Sequence, residues 1–450
     1  MYETKTLLEK TKLFVVIMLP ILITQIGMYA MNFFDTIMSG KSGPDELAGV
    51  AIGSNIWLPV FTGLNGILMA ISPIVAQLKG AKKDDEISYS VKQGIFLAIS
   101  LAVIIGGVGY LLLGPILSLL DITPEVSHVA KYYLITLGIG IVPLFIFNIL
   151  RSFVDALGQT KLSMVVILMT LPINILFNYM FIFGRWGAPE LGGIGAGLAS
   201  ALTYWVSLII IIIVVYKLRP LRNYKIFHSW MSPDLKEWWA QLKIGIPIGF
   251  AIFFETSIFA AVTFFMTAYD TNTIAAHQAA INFASFLYMV PLSIAFTLTI
   301  AVGFEIGGKR YKEAKTYSYL GITLAVTMSI GAGLILFIFD DAIARLYSTD
   351  EQVIELTKNF IIYAIFFQLS DGFGAPLQGI LRGYKDVNIT FVMAFVSYWG
   401  IGLPSGYLLA NFTDLGPYGY WLSLTIGLTA GAITLFFRMF YLQKKNIGTI

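Results

Sequence analysis

The stretch IGIPIGFAIFFETSIFAAVTFFMTA, residues Ile244–Ala268, decides the fold because it is long, apolar and interrupted by one carboxylate, Glu255. No charge occurs in the eleven residues before Glu255 or in the fourteen after it. A helix of about 20 apolar residues spans a bilayer, so Glu255 is predicted to lie about halfway across. A carboxylate at that depth costs at least a few kcal/mol, which marks a functional site. The alternative is a protonated structural Glu bonded to a neighbouring helix.

The composition is that of a membrane protein. Of the 450 residues, 57% are hydrophobic and 12% are charged, whereas soluble domains carry roughly 25% charged residues. The absence of cysteine from the sequence excludes a thiolate nucleophile, a cysteine metal site and a disulfide. The net charge of +3 does not indicate a nucleic-acid partner, and the sequence contains no GxxxxGK[ST] nucleotide motif. We therefore expect neither an enzyme nor a bound cofactor, and no removable signal peptide.

Long apolar runs recur from residue 13 to residue 441 and predict an all-α integral membrane protein with twelve transmembrane helices. The predicted spans are 13–34, 47–78, 93–118, 129–150, 162–184, 192–216, 239–268, 274–304, 316–339, 353–378, 388–411 and 418–442. The second span carries Pro59 and Pro73 and the eighth carries Pro291, so bends or tilts are expected in both.

The distribution of basic residues predicts the orientation. With the N-terminus inside the cell, the inner segments hold 24 of the 29 Lys and Arg residues. The outer side keeps Lys41, Lys131, Arg185, Arg345 and Lys358. Because basic residues are concentrated on the cytoplasmic side of membrane proteins, both termini are predicted to be cytoplasmic.

The two halves of the chain form an internal repeat. A shift of 227 residues places Pro20 on Pro247, and the same shift places Gly80 on Gly307 in glycine-plus-basic turns. We therefore predict an N-terminal six-helix half (1–217), a cytoplasmic linker (218–238) and a C-terminal six-helix half (239–450). An even number of spans in each half makes the repeats parallel. Parallel repeats form two bundles with a substrate site at their interface, which is the architecture of a transporter.

Three acids interrupt apolar stretches: Asp35, Glu255 and Asp371. The repeat places Asp35 over Val262 and Glu255 over Met28, so each half has its own acidic site. Paired carboxylates bind Na⁺ through oxygen or exchange a proton when they are buried. In a binding site they also attract organic cations.

Each candidate has a structural alternative. Asp35 could be a solvated helix end, and Asp371 could stabilise a kink beside Gly372. Asn174 and Asn178, the polar groups of the first half, could bond helix to helix. Tyr288 could face a cation beside Glu255 through its ring or could simply pack.

The sequence resembles the NorM-type multidrug and toxic compound extrusion (MATE) transporters. The resemblance extends over nearly the whole chain, in order, through LPILITQIG, FFDTIMSG, LAGVAIGS, PIVAQLKGA, LFNYMFIFG, LGGIGAGLA, IPIG…FFE, LRGYKD and LPSGYLLA. It implies a V-shaped fold of two bundles in the bacterial cell membrane. It also implies a monomer that exports cationic and amphipathic drugs in exchange for Na⁺ or H⁺ by alternating access, with membrane lipid around it.

The resemblance also assigns residues. Glu255 and Asp371 match a second-half cation site that would hold Na⁺, with Tyr288 beside it. Asp35, Asn174 and Asn178 match a first-half coupling site. The implied substrate-binding acids are Asp35, Glu255, Asp371 and Asp350. Relatives with a well-defined first-half Na⁺ site carry Asp where this chain has Asn178, which favours Na⁺ in the second half and leaves proton coupling at Asp35 open.

Three other functions remain as alternatives. A lipid-precursor or polysaccharide flippase of the same superfamily usually has extra spans and a more basic cavity, whereas the intramembrane acids here favour a cationic substrate. An intramembrane transferase would need a catalytic loop of clustered acids or histidines. A passive channel would need a ring of equivalent residues.

Overall fold

A computed structural model describes residues 1–120, 122–229 and 231–447, apart from the side chain of residue 447. Trp230 of the predicted linker and residues 448–450 of the predicted second half lie outside the described residues. Every regular element in the described ranges is helical, which confirms the predicted all-α class.

The helices follow one another with short connections. In chain order they are α1 (Leu7–Ser42), α2 (Pro44–Leu68), α3 (Ile71–Gly80), α4 (Asp84–Ser118), α5 (Pro124–Gly138), α6 (Ile141–Ala156), α7 (Thr160–Phe183), α8 (Gly193–Lys217), α9 (Arg219–Arg222), α10 (Leu235–Met266), α11 (Thr271–Gly307), α12 (Tyr311–Ile338), α13 (Asp340–Tyr347), α14 (Glu351–Gly383), α15 (Val387–Phe395), a π-helix (Val396–Gly402), α16 (Leu403–Phe412) and α17 (Pro417–Ile447).

The described residues contain eleven spans that are long and apolar enough to cross a membrane, and up to twelve if a bent helix pair counts as one span. That pair is α5 and α6, which meet at 50°. Gly140 lies at the break and packs closely on α8, since an added Cβ there would lie 2.6 Å from the Cα of Ala201. The chain is therefore a multi-pass membrane protein, as its hydropathy predicts.

The second span is interrupted at Met69 and Ala70, between α2 and α3. Pro73 accounts for the interruption because its ring nitrogen cannot donate the helical hydrogen bond to the carbonyl of Met69. Pro59 and Pro291 instead lie inside the continuous helices α2 and α11.

The chain separates into two compact units. Unit 1 contains Met1 and Leu19–Gly245, and unit 2 contains Tyr2–Met18 and Ile246–Ile450. The predicted halves, 1–217 and 239–450, are separated by the linker, whereas the compact units divide after Met18 within α1 and after Gly245 within α10. The two exchange points, Met18 and Gly245, are 227 residues apart, which is the offset of the internal repeat.

Hydrogen bonds explain why α10 begins in unit 1. The Gln93 side chain on α4 accepts from the backbone N–H of Asp234 at 2.8 Å and from Trp238 Nε1 at 3.0 Å. Gln93 Nε2 donates to the Ser232 carbonyl at 2.8 Å. Gln241 adds a bond to the Ser90 carbonyl at 2.9 Å. The end of the predicted linker is thus fixed to the start of α4.

The N-terminal segment is fixed to unit 2 in a similar way. Lys10 Nζ lies 2.6 Å from the Glu313 carboxylate and donates to the Thr4 carbonyl at 2.9 Å. The Thr4 and Tyr317 hydroxyls are 2.9 Å apart. Because Lys10 is buried, removing its carboxylate partner would leave an uncompensated charge.

Candidate functional site

Glu255 lies in the middle of α10 and is 7% exposed. Both of its carboxylate oxygens accept hydrogen bonds from neighbouring helices. Tyr288 Oη, on α11, donates to Oε1 at 2.9 Å, and Gln378 Nε2, on α14, donates to Oε2 at 2.8 Å. The sequence left open whether the Tyr288 ring faces a cation or packs, and in the structure its hydroxyl donates to the Glu255 carboxylate.

Helix α14 contributes three polar side chains to this region. Asp371, Gln378 and Arg382 are separated by seven and four residues, so they share one helix face. All three are buried. The Asp371 carboxyl interacts electrostatically with Glu255. Arg382 Nη2 donates to Gln378 Oε1 at 3.0 Å, so the guanidinium is connected to Glu255 through one amide.

Close packing of α11 on α14 holds this face in position. An added Cβ at Gly379 would lie 2.2 Å from the Ala295 carbonyl oxygen, and one at Gly383 would lie 3.0 Å from the Gly303 nitrogen. Thr299 Oγ1 donates to the Gly379 carbonyl at 3.0 Å. Gly379 and Gly383, spaced by four residues, therefore let these helices approach closely.

The π-helix adds Tyr398, which is buried and interacts electrostatically with Glu255 and Asp371. The next residue, Trp399, attaches this segment to α10 by donating from Nε1 to Ser257 Oγ at 3.1 Å. A π-helical turn holds one more residue than an α-helical turn, and such turns are frequent at functional sites. We name Glu255, Asp371, Tyr288, Gln378, Arg382 and Tyr398 the second-half cluster.

Asp35 is the centre of a separate network in unit 1, the first-half cluster. Its Oδ1 accepts from Asn174 Nδ2 at 3.2 Å and from Asn178 Nδ2 at 2.6 Å. Its Oδ2 accepts from Ser200 Oγ at 2.8 Å. The Tyr133 and Tyr204 rings lie near enough to interact electrostatically with the carboxylate. Asp35 is 7% exposed, so it is not a solvated helix end.

Helix geometry explains this convergence. Asn174 and Asn178 are one turn apart on α7, so both amides face the same way. Helix α8 comes close because an added Cβ at Gly195 would lie 2.3 Å from the Phe181 carbonyl oxygen on α7. Ser200, five residues further along α8, donates to Asp35 at 2.8 Å.

Asp350 is not part of either cluster. It is exposed and caps α14, where its carboxylate accepts from the Gln352 backbone N–H at 2.8 Å. Asp371 lies 21 residues further along the same helix, which corresponds to about 30 Å.

The sequence located the acids, the two Asn residues and Tyr288, but it did not identify Ser200, Gln378, Arg382 or Tyr398. Ser200 is one of many small residues in GIGAGLAS. Arg382 was counted among the basic residues of an inner segment, whereas the structure buries it in α14. Gln378 and Arg382 lie seven and eleven residues after Asp371. This spacing places all three on one helix face and could have indicated that they belong to one site.

The described residues contain no group of three or more His, Cys, Asp or Glu side chains arranged to hold a metal ion. The second-half cluster instead offers a carboxylate, a tyrosine hydroxyl and an amide oxygen close together. Such oxygen ligands suit hard cations.

Comparison with known proteins establishes the family. The MatE family model matches residues 20–180 and 247–408. The matched segments begin at Pro20 and Pro247, 227 residues apart, as the internal repeat predicts. The chain belongs to the MatE family.

Close relatives extend over the full length of this MatE chain. It is 57% identical over 447 residues to a probable multidrug resistance protein NorM of Oceanobacillus iheyensis, covering 99% of this chain and 100% of that one. A protein of the same description from Halalkalibacterium halodurans is 57% identical over 445 residues, covering 99% of this chain and 97% of the relative.

A solved structure has the same fold. The eukaryotic MATE transporter AtDTX14 superposes with a TM-score of 0.89 at 21% identity, covering 98% of this chain and 97% of that one. The predicted membership of the NorM-type MATE transporters and the predicted fold class are both confirmed.

Proposed function

We propose that this chain is a secondary antiporter that exports cationic and amphipathic organic compounds in exchange for Na⁺ or H⁺ by alternating access. The observation that carries the proposal is the burial of Glu255 and Asp371 in one cluster of unit 2. Two buried carboxylates repel each other unless a cation or a shared proton lies between them. A site that needs a cation to be stable suits an ion-coupled transporter.

Aromatic rings packed around Phe254, the residue before Glu255 in α10, also suit an organic cation with an apolar body. The ring of Phe254, the preceding residue, lies 4.8 Å from Phe395, 5.9 Å from Phe391 and 6.4 Å from Trp399, measured between ring centroids. Aromatic faces attract cations and bury apolar groups. The relatives from Oceanobacillus and Halalkalibacterium are described as probable multidrug resistance proteins, which supports the same class of substrate here.

The first-half cluster suits a proton step. As an ionised carboxylate, Asp35 accepts three side-chain hydrogen bonds without a cation. A protonated Asp35 would become a donor and would need an acceptor. Among the described residues, Asn178 Oδ1 is buried and has no hydrogen-bond partner, so a reoriented Asn178 amide could accept that proton. We infer that protonation of Asp35 rearranges the contacts of α1, α7 and α8.

The Asn178 amide also explains why Na⁺ is assigned to the second half. An Asp at this position would place a second carboxylate against Asp35, and a cation would then be required to relieve their repulsion. Asn178 instead donates a hydrogen bond. The proposed assignment is therefore Na⁺ or H⁺ at Glu255 and Asp371, and H⁺ at Asp35.

Transport into and out of proteoliposomes tests this function. The purified chain is reconstituted, a fluorescent lipophilic cation is loaded, and a sodium gradient or a pH gradient is imposed separately. We expect uphill movement of the dye under at least one of the two gradients. Dye movement that only equilibrates, and at the same rate under both gradients, would contradict antiport.

A further inference from the structure

The second-half cluster contains one buried positive charge, Arg382, which is 6% exposed. Its Nη2 donates to Gln378 Oε1 at 3.0 Å, and Gln378 Nε2 donates to Glu255 Oε2 at 2.8 Å. Its Nη1 is buried and, among the described residues, has no hydrogen-bond partner. The guanidinium also interacts electrostatically with Glu255. Arg382 therefore acts on Glu255 both through the amide and through its charge.

The charges of the cluster can be counted. Its ionisable members are Glu255, Asp371, Arg382, Tyr288 and Tyr398. Tyrosine is neutral near pH 7, and arginine keeps its charge even when buried. Two ionised carboxylates and one guanidinium leave the cluster with one net negative charge.

We propose that Arg382 determines the ion selectivity of this site, so that the cluster accepts one monovalent cation, a single Na⁺ or a single proton, and excludes divalent cations. The inference rests on the proposed function and specifies its ion. One monovalent cation brings the buried cluster to neutrality. A divalent cation would leave a net positive charge in a low-dielectric region, which is strongly unfavourable.

The same charge count predicts what happens without the guanidinium. Two carboxylates with hydroxyl and amide oxygens around them resemble the oxygen-rich ligand sets that bind Ca²⁺ and Mn²⁺. Removing one positive charge, or adding one negative charge, should thus make the cluster a divalent-cation site. Lys in place of Arg keeps the charge but loses the Nη2 group that donates to Gln378 Oε1, so it should keep the selectivity and lower the affinity.

Equilibrium dialysis of the full-length purified protein with radioactive Na⁺ and with Mn²⁺, at fixed ionic strength, tests the proposal. For the unaltered chain we expect one Na⁺ per molecule and no Mn²⁺. Two unrelated changes make the cluster more negative by one charge: Arg382→Met and Gln378→Glu. Each should raise the affinity for Mn²⁺ by about tenfold or more relative to the unaltered chain.

Control variants distinguish an effect of the cluster's charge from an effect of a disturbed structure. Arg438→Met removes a positive charge that pairs with Asp386 in the same unit, outside the second-half cluster, and should leave Na⁺ and Mn²⁺ binding unchanged. Arg382→Lys should still exclude Mn²⁺. The double change Arg382→Met with Glu255→Gln restores one net negative charge and should return the site to monovalent cations.

The outcomes are distinguishable. If the unaltered chain binds one Na⁺, and neither Arg382→Met nor Gln378→Glu binds Mn²⁺ better than it does, the role of Arg382 is refuted while the coupling site stands. If the unaltered chain binds Mn²⁺ as well as it binds Na⁺, the charge count is refuted. If it binds no Na⁺ and releases or takes up no proton at this site, the proposed second-half coupling site fails together with the inference.

Discussion

At the scale of single residues, each of the two acidic clusters stabilises a buried carboxylate, but through different partners. Asp35 is stabilised by three neutral donors, Asn174, Asn178 and Ser200. Glu255 receives two donors and lies near a second carboxylate, Asp371. The first arrangement satisfies a carboxylate with neutral donors alone, whereas the second keeps one net negative charge beside Arg382, which under the proposed function is neutralised by one monovalent cation. The two halves are therefore expected to have different roles in coupling.

We predict that Asp35→Asn abolishes most drug export while leaving the protein folded. The Asn amide cannot change its charge, so the proton step is lost. One of the three donors also loses its acceptor, which costs roughly 1–3 kcal/mol. Efflux of a cationic dye from cells and thermal unfolding of the purified protein measure the two effects.

Ser200→Ala is the matched control for Asp35→Asn because it removes one donor but keeps the carboxylate. It should retain more than half of the export. Native export by Asp35→Asn under every imposed gradient would show that Asp35 has a structural role only.

At the scale of elements, α14 is the helix on which the second-half cluster depends. It carries Asp371, Gln378 and Arg382 on one face, and its glycines allow α11 to approach. The capping residue Asp350, at its first turn, contributes to the helix and not to the cluster. Packing of α11 against α14 therefore fixes Tyr288 relative to Asp371, Gln378 and Arg382.

We predict that Gly379→Ala lowers the free energy of unfolding by about 1–3 kcal/mol, as overpacking does, and also weakens cation binding. Its added Cβ would lie 2.2 Å from the Ala295 carbonyl oxygen, so α14 must shift. Gly374→Ala on the same helix is the control, since its Cβ would only touch Ala432 at 3.7 Å. Thermal unfolding in detergent, with and without Na⁺, compares the two variants. Equal stability and equal Na⁺ protection in both would exclude this role of Gly379.

The elements also show what sequence can and cannot predict. The spans were predictable because each is a continuous apolar run, and Glu255 was conspicuous because no other charge interrupts its run. The π-helix was not predictable, because the hydropathy of VSYWGIG does not distinguish a π-helix from an α-helix. Arg382 was misplaced because a basic residue near the end of a span is usually solvated, and only the packing of α11 and α14 shows that this one is buried.

At the scale of the whole molecule, the internal repeat explains both the family match and the division into units. The exchange points Met18 and Gly245 have the same spacing as Pro20 and Pro247. The sequence predicted the repeat but placed the boundary at the polar linker. The compact units divide within α10, where Gln93 and Ser90 bind the first turns of this helix to unit 1.

The proposed orientation predicts the result of cysteine labelling. Because the chain has no cysteine, single cysteines at Ser229 and Thr349, both exposed, can be labelled without background. We expect a membrane-impermeant maleimide added to intact cells to label Thr349→Cys and not Ser229→Cys. Ser229→Cys should react only after the membrane is opened. The reverse pattern would invert the topology and contradict export driven by inward ion movement.

Equilibrium binding of a fluorescent cationic drug, with and without Na⁺ at fixed ionic strength and at two pH values, tests the coupling role of Glu255 and Asp371 most directly. An exporter requires ion binding to favour the state that releases drug. Na⁺ or protons should therefore weaken drug binding to the unaltered chain. Glu255→Gln and Asp371→Asn should each lose this effect, and the double variant should be little different because the pair acts as a unit. Undiminished ion sensitivity in both single variants would contradict the proposed site and place the coupling elsewhere.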